Sequence, residues 1–498
     1  MGLLTINRSS LWPALGIGAG LGLLFVVAGA ATVPWMILIG VICLFLFASA
    51  LISPSMAFLM VALVIPIERV GRFTEDTATF TISLMRIMGM VALTSLLFHG
   101  LLQKRRFLFG TSFFLYAGYL VCCLASVFYS RDYTESIRAF GVLGGNLLFL
   151  FLIINLVRGW HLAKVSVQLW LLASVLVGVY TLYDWHFGTV LEPSRVGISQ
   201  TRYSTTYTDQ SEYTEMRAVT RAMGPTSHPS VYGINMILTI PFFFLMLRIQ
   251  KTNSGRIASW IGLAIVLYNI LLTNTRASLL GALFTLILCG FFKLYRIRLR
   301  NFVLMGLMFG VLLPLVPEDV ALRLLNVSNY TMEHSKTFAV RAKYWRTFLK
   351  IAKENWLWGT GIGEKATIAE FLTSEDVTDD RTSVHNDFMA TFLDAGIIGW
   401  LFFMSFLASI LGTIWKTALR YKVLPNGGEA YWFLNASLVA TLSAIFYGMQ
   451  CDVFHLPLKG WWLVVGLSVG LAHLSNQEIA GTPGPALAAT PQLAASHP

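Results

Sequence analysis

The chain has 498 residues, of which 56% are hydrophobic and only 12% are charged, and its formal net charge is +11. A soluble domain averages about 25% charged residues, so this composition excludes an ordinary soluble protein and indicates a polytopic membrane protein. The positive charge is spread over short loops between apolar runs, which excludes a nucleic-acid-binding surface and instead sets orientation in the membrane.

Apolar runs long enough to cross a bilayer as helices recur along the whole chain. They are continuous rather than alternating, which favours helices over strands. We therefore predict an all-α polytopic integral membrane protein with twelve to fourteen transmembrane helices. The candidate spans are residues 11–30, 33–52, 56–67, 82–97, 111–128, 141–157, 165–183, 231–247, 257–272, 279–294, 302–316, 395–415, 431–447 and 458–474.

The loops rich in lysine and arginine fall on one common side, which the positive-inside rule assigns to the cytoplasm. The opposite side receives two large polar loops, so we expect the chemistry there. The tail is rich in Ala and Pro and is predicted to be disordered in the cytoplasm. The resulting division is N-terminal spans (1–183), first outer loop (184–230), central spans (231–316), second outer loop (317–394), C-terminal spans (395–474) and tail (475–498).

The second outer loop contains a basic amphipathic helix at about residues 338–356. One arc of its wheel is apolar and a separate face is basic, which is typical of a helix in the membrane interface. Arg341 falls inside the apolar arc, where a cation should have a carboxylate or a bound anion as its partner. A glycine-rich run at 358–363 follows, either as ligand-binding backbone or as a sharp turn. The apolar arc consists of Phe338, Ala342, Trp345, Leu349, Ala352 and Trp356.

The same loop ends on RTSVHNDFMATFLDAGIIGW, which begins as a helix and continues as a membrane span. Thr382 or Ser383 is predicted to cap that helix, with His385, Asn386 and Asp387 within its first turn or so. The positive end of the helix dipole disfavours a protonated imidazole, so we expect a neutral histidine that can accept a proton. The alternative is a histidine that only caps the helix or forms a local hydrogen bond.

Two arginines on the outer side lie next to predicted spans. Arg221 precedes a span in RAMGPTSHPS, and Arg276 lies in TNTRAS, a turn between two spans. Each is suited to holding a phosphate, and the alternative for each is a lipid-headgroup or carbonyl contact. His228 is expected to have a structural role because Pro229 follows it and a span begins. Asp452, in the last outer turn, either orients a cation or the histidine or is an exposed loop carboxylate.

Metal-binding motifs are missing from the sequence, so we predict no metal and no cofactor. Asp376, Asp379 and Asp380 lie in a Thr-, Ser- and Asp-rich stretch that indicates a solvated loop rather than a cation site. A neutral base, phosphate-binding arginines and a bilayer that holds a lipid tail fit transfer of a group away from a lipid-linked phosphate or pyrophosphate. Membrane lipids are expected partners, and nucleic acid is not.

Three motifs resemble those of the O-antigen ligase and polymerase superfamily. RAKYWRTFLKIAKENWLWGTGIG, residues 341–363, resembles its Arg-x-x-x-Trp … Gly-x-Gly-x-Gly run, and VHND followed by Gly396 and Gly399 resembles its histidine motif. Residues 273–278 resemble its outer Thr-x-(Ser/Thr)-Arg turn, with Thr where Ser is common and Ala where Gly is common. The motifs fall within about residues 221–474, and the N-terminal part matches only as a string of spans.

The resemblance implies a glycosyltransferase of the C-type, all-helical membrane fold in the bacterial inner membrane, with its active site facing the periplasm. The donor would be a glycan linked to undecaprenyl pyrophosphate, and the acceptor a sugar hydroxyl of lipid A–core. By that likeness His385 would be the base. The other implied residues are Arg221, Arg276 and Arg341 for the pyrophosphate and Asp452, Asn386 and Asp387 in support.

The single dominant outer loop with its amphipathic helix favours a ligase within this superfamily. An O-antigen polymerase and a protein O-oligosaccharyltransferase are the nearest alternatives. A transporter of lipid-linked glycans is less favoured, because the two halves show no matching pair of Gly- or Pro-broken spans and the candidate residues gather on one side.

Overall fold

The computed structural model describes the greater part of the chain, including most of the predicted spans. The described residues are 53–67, 83–157, 159–187, 202–207, 217–226, 228–295, 335–363, 384–424, 427–451, 453–455 and 458–479. Three predicted spans, at 11–30, 33–52 and 302–316, lie outside them.

The described residues are helical apart from one short hairpin. The helices are α1 (Pro54–Val64), α2 (Leu84–Leu102), α3 (Thr111–Val127), α4 (Tyr133–Leu156), α5 (Trp160–Phe187), α6 (Pro229–Ile237), α7 (Ile240–Ile249), α8 (Asn253–Leu272), α9 (Arg276–Phe291), α10 (Ser335–Glu354), α11 (Asp387–Val423), α12 (Gly428–Gly448) and α13 (Lys459–Ile479). A short 3-10 turn, Ile65–Ile67, follows α1.

The predicted all-α membrane architecture is confirmed. Among the described residues, seven helical segments are long and apolar enough to cross a membrane, and three shorter apolar helices accompany them. The chain is a multi-pass membrane protein. The predicted disordered tail begins too early, since α13 continues as a helix to Ile479.

The first outer loop contains an element that the sequence analysis did not predict. Strands β1 (Arg202–Tyr207) and β2 (Arg217–Ala222) pair in antiparallel fashion. Their sequences, RYSTTY and RAVTRA, are rich in Thr, Tyr and Val, which favour strands. The register places Tyr203 opposite Arg221, so the hairpin fixes the backbone position of this arginine.

The candidate residues gather at one end of the helical bundle, here called the histidine end because His385 lies there. Helices α4, α6, α9, α11 and α13 begin at this end, and α3, α5, α8 and α12 finish at it. Helix α11 packs against α3 and α12, and α10 packs across the first turns of α11. The connections at the histidine end therefore meet around the start of α11.

Helix α10 covers most of the segment predicted to be amphipathic, and its apolar arc is divided between a buried edge and an exposed edge. Phe348 and Ile351 are buried against Val384 and Leu393. Leu349, which the predicted arc contains, is 57% exposed. Trp345 and Ala352 of the predicted arc pack on the same buried cluster. One edge of the apolar arc therefore packs on α11, and the other edge stays exposed, where it suits a membrane interface.

Candidate active site

His385 lies just before α11, because the helix begins later than predicted. Asn386 is the N-cap, and its side-chain oxygen accepts the N–H groups of Phe388 and Met389 at 3.0 and 3.1 Å. The predicted cap at Thr382 or Ser383 is wrong. Asn386 can satisfy two of the free N–H groups of the first turn, and this places the histidine outside the helix.

The backbone at His385 is strained, with φ at +50°. This left-handed conformation costs an L-residue about 1–2 kcal/mol and persists only where neighbours hold it. The indole Nε1 of Trp345 donates to the Val384 carbonyl at 3.0 Å, and Asn386 Nδ2 donates to the Met449 carbonyl at 3.4 Å. Contacts from α10 and from the end of α12 thus flank the histidine, as is common where strain serves a site.

The glycine strap, residues 358–363, packs closely against the first turns of α11, directly after His385. Gly359, Gly361 and Gly363 have φ values of +77°, +107° and +114°. A Cβ at Gly359 would lie 2.4 Å from the Leu393 carbonyl oxygen, so only glycine allows this close approach.

Four of the six backbone N–H groups of the strap donate hydrogen bonds within the protein. The N–H of Gly359 donates to the Asn355 carbonyl at 2.8 Å, and that of Thr360 donates to the Leu393 carbonyl at 2.6 Å. Further along, Ile362 N–H donates to Ser126 Oγ at 3.0 Å and Gly363 N–H to Asp394 Oδ1 at 3.2 Å. The strap therefore acts here as a packed turn rather than as a cradle for phosphate.

Asp387, Asp394 and His455 form a hydrogen-bonded bridge in which both carboxylates are buried and the imidazole is partly exposed. The Nδ1 of His455 lies 2.9 Å from Asp387 Oδ1, and its Nε2 lies 2.6 Å from Asp394 Oδ2. Asp387 also accepts the N–H groups of Val453 and Phe454 at 2.6 and 3.0 Å. Both carboxylates are buried. Burial lowers the pKa of His455, but the charge of Asp394 and the hydrogen bonds to both carboxylates outweigh it and hold that pKa well above its usual value.

His228 is the N-cap of α6 and carries a fixed tautomer. Its Nδ1 accepts the Ser230 N–H at 3.2 Å, so the ring proton lies on Nε2 when the imidazole is neutral. Desolvation, the positive charge of Arg221 and the interaction with a protonated His385 lower the pKa of His228 to about 4, which keeps it neutral near pH 7. Arg221, His228 and His385 are therefore close enough to interact electrostatically, although they come from three separate segments.

Arg276 is the first residue of α9 and is exposed at the histidine end. The turn before it is shorter than predicted and contains Asn274 at φ +47°. A chain of buried hydroxyls supports it. Thr275 Oγ1 lies 2.5 Å from Ser278 Oγ, which lies 2.9 Å from the Tyr447 hydroxyl.

The Tyr447 hydroxyl also donates to the Ser230 carbonyl at 2.9 Å. Ser230 lies in the first turn of α6, two residues after His228. The hydroxyl chain therefore fixes the start of α9 against the start of α6. It therefore fixes the position of the turn before Arg276 relative to the segment that carries His228.

Two predicted site residues lie wholly or partly outside the described residues. The backbone of Arg341 is helical within α10, but its side chain lies outside the described residues, and so does Asp452. The loop with Asp376, Asp379 and Asp380 also lies outside them. Within the described part of the chain, no group of three His, Cys, Asp or Glu side chains is arranged to hold a metal ion.

Sequence reasoning missed His455, Asp394, and the tyrosine of the hydroxyl chain, Tyr447. One signal for the first two was present. Asp387 and Asp394 are seven residues apart, which places two carboxylates on the same helix face next to an apolar span. Such a pair requires a partner when it is buried, and His455, in the last outer turn, supplies it.

The helical bundle with imidazoles and arginines gathered at one end defines a multi-pass membrane protein with a surface site. A family model described as O-antigen ligase matches residues 261–404. This segment includes Arg276, α10, the glycine strap and His385. The match supports membership of the O-antigen ligase superfamily, as the motifs predicted, and this family consists broadly of enzymes of the glycosyltransferase type. No curated protein matches the chain.

Proposed function

We propose that the protein transfers an O-antigen glycan from undecaprenyl pyrophosphate to a sugar hydroxyl of lipid A–core. In this proposal the histidine end faces the periplasm and the bundle lies in the bacterial inner membrane. The observation that carries the proposal is the convergence of Arg221, His228 and His385 at the end of a membrane bundle, with the turn of Arg276 fixed against the same helix start.

The proposed chemistry is direct displacement at the anomeric carbon. A sugar hydroxyl is a poor nucleophile, and His385 takes its proton as the new glycosidic bond forms. Removal of that proton by a positioned base contributes about 10²–10⁴-fold. The undecaprenyl pyrophosphate leaves from the opposite side of the anomeric carbon, so the configuration inverts.

The arginines stabilise the leaving group in this proposal. Arg221 and Arg276 provide planar guanidinium groups that pair with phosphate oxygens in bidentate fashion, with Arg341 expected in support. His228, neutral and with its proton on Nε2, offers one more hydrogen-bond donor that adds no charge. The positive charge of the arginines takes the part that a divalent ion takes in other phosphate chemistries.

Asn386 and Asp387 support the base rather than react. Asn386 caps the helix, and both oxygens of Asp387 accept hydrogen bonds inside the protein. The Asp387 carboxylate is therefore poorly placed to act as a nucleophile. Asp452 is expected to support the site from the last outer turn.

The exposed apolar face of α10 favours a lipid acceptor over a protein acceptor. Leu349 and Trp356 are 57% and 56% exposed, and the neighbouring Lys350 and Lys353 are also exposed. An amphipathic helix of this kind lies at the membrane surface, where lipid A–core presents its sugars and its anionic groups. Polymerase and protein-glycosylating activities remain the alternatives within the superfamily.

The test is a reconstituted reaction. Purified protein is mixed with undecaprenyl-pyrophosphate-linked glycan and lipid A–core, and the joined product is followed by gel mobility and mass. We expect glycan on lipid A–core. A longer glycan on the lipid carrier would instead identify a polymerase, and a glycan on an added acceptor protein a protein-glycosylating enzyme.

A further inference from the structure

The start of α11 carries a restraint that the proposed chemistry does not itself use. Its first eight residues, from Asp387 to Asp394, form a short helix before the break at Gly396, where φ is +62°. His385 precedes this short helix in a strained conformation, so its imidazole direction depends on how firmly the helix is held. Glycine strap residues fix the Leu393 end.

The bridge residue His455 contacts both ends of the short helix. Its two ring nitrogens face Asp387 at the first turn and Asp394 at the last, at 2.9 and 2.6 Å. A ring that donates from both nitrogens is an imidazolium, because neutral imidazole has one N–H. Two buried carboxylates would repel each other without a cation between them. The neighbouring groups on α3 that face Asp394 are the uncharged Tyr119 and Cys123.

We infer that His455 is a positioning residue for His385. It forms a cationic bridge that holds the short helix against the segment between α12 and α13. The bridge joins α11 to the segment between α12 and α13. It acts through Asp387, two residues from His385, and makes no contact with substrate. This inference rests on the proposed function, since it assigns His385 the reacting proton.

The bridge has a direct spectroscopic signature that does not depend on transfer. In full-length protein labelled with ¹⁵N-histidine, one histidine should have both ring nitrogens protonated at pH 8. That signal should vanish in His455→Gln and persist in His186→Gln, a matched change at a histidine that contacts Tyr268 at 3.1 Å elsewhere at the same end. Absence of a doubly protonated ring in the wild-type protein would overturn the bridge.

The positioning role is tested by comparing the kcat of glycan transfer in a single and a double variant of the bridge. His455→Gln removes the cation and should lower kcat at least about tenfold, because small displacements of a reacting group cost up to about a hundredfold. The KM for the lipid-linked donor should stay within about twofold, since arginines hold the donor. His455→Gln/Asp394→Asn removes one of the two facing carboxylates and should recover part of the lost kcat.

Additive losses in the double variant, or a wild-type kcat in His455→Gln, would overturn the positioning role. His186→Gln should keep the wild-type kcat. Wild-type protein that shows the doubly protonated ring but transfers no glycan would overturn the proposed function and the positioning role with it. The nitrogen spectrum thus separates failure of the bridge from failure of the enzyme assignment.

Discussion

Gly396 is the point at which α11 changes from the short helix after His385 into the membrane span. Its φ of +62° and ψ of −167° are essentially restricted to glycine. A Cβ at this position would lie 2.2 Å from the Leu357 carbonyl oxygen and 2.6 Å from the Trp358 nitrogen. Since these are backbone atoms at or directly before the start of the glycine strap, Gly396→Ala can be accommodated only if this backbone or the helix moves.

The expected cost follows from these contacts. The backbone strain costs about 1–3 kcal/mol. Displacement also weakens two hydrogen bonds, from Ile397 N–H to the Trp356 carbonyl at 2.8 Å and from Thr360 N–H to the Leu393 carbonyl at 2.6 Å. Each hydrogen bond contributes about 0.5–1.5 kcal/mol. Together with the backbone strain, the expected loss of folding free energy is about 2–6 kcal/mol.

The assay is thermal unfolding of the purified variant in detergent, followed by tryptophan fluorescence, together with its transfer rate. Gly412→Ala is the matched control in the same helix, because a Cβ there meets nothing within 4 Å. Alanine favours a helix interior by about 1 kcal/mol, so this control should be neutral or slightly stabilising. If Gly396→Ala unfolded at the temperature of Gly412→Ala with full activity, the strap would not restrain the short helix.

Three further predictions follow from the site. Arg276→Lys should lose transfer while inserting normally, because an ammonium group lacks the planar fork, and a wild-type rate would show this arginine to be a lipid anchor. Transfer should survive chelation by EDTA. A loss of transfer that Mg²⁺ or Mn²⁺ restores would point to a cation site in the loop at residues 376–380. A cysteine introduced at position 385 should be labelled from the periplasm and one at Lys104 should not. Labelling in the reverse pattern would invert the proposed topology.

The membrane spans could be predicted from sequence because the signal is local. Helix α3 begins where its apolar run begins, and α8 finishes at Leu272, the last residue of its predicted span. A hydrophobic run that must satisfy its backbone in lipid has few alternatives to a helix. The long polar loops carry no such constraint, and the pairing of β1 with β2 was not predicted.

The candidate site could be predicted only in part. His385 and Arg221 stood out because each lies near the end of a polar loop, just before a span, and Arg276 stood out because it lies in a tight turn between two spans. The cap was misassigned because Thr382, Ser383 and Asn386 have similar capping propensity, and long-range contacts decide among them.

The bridge through His455 required tertiary structure, since its partner Asp387 is 68 residues away in the sequence. His228 has the expected structural role, because it is the N-cap of α6. Pro229 correctly indicated the start of a helix, but the closeness of His228 to Arg221 and His385 depends on the fold.

The central claim is that His385 removes the proton of the acceptor hydroxyl, and His385→Asn tests it most directly. Asparagine tolerates the left-handed backbone at this position, whereas alanine would add strain, so the variant removes the base and preserves the loop. Glycan transfer to lipid A–core should fall by about 10²–10⁴-fold while binding of the lipid-linked donor is unchanged. Transfer at the wild-type rate by His385→Asn would remove this histidine from the mechanism.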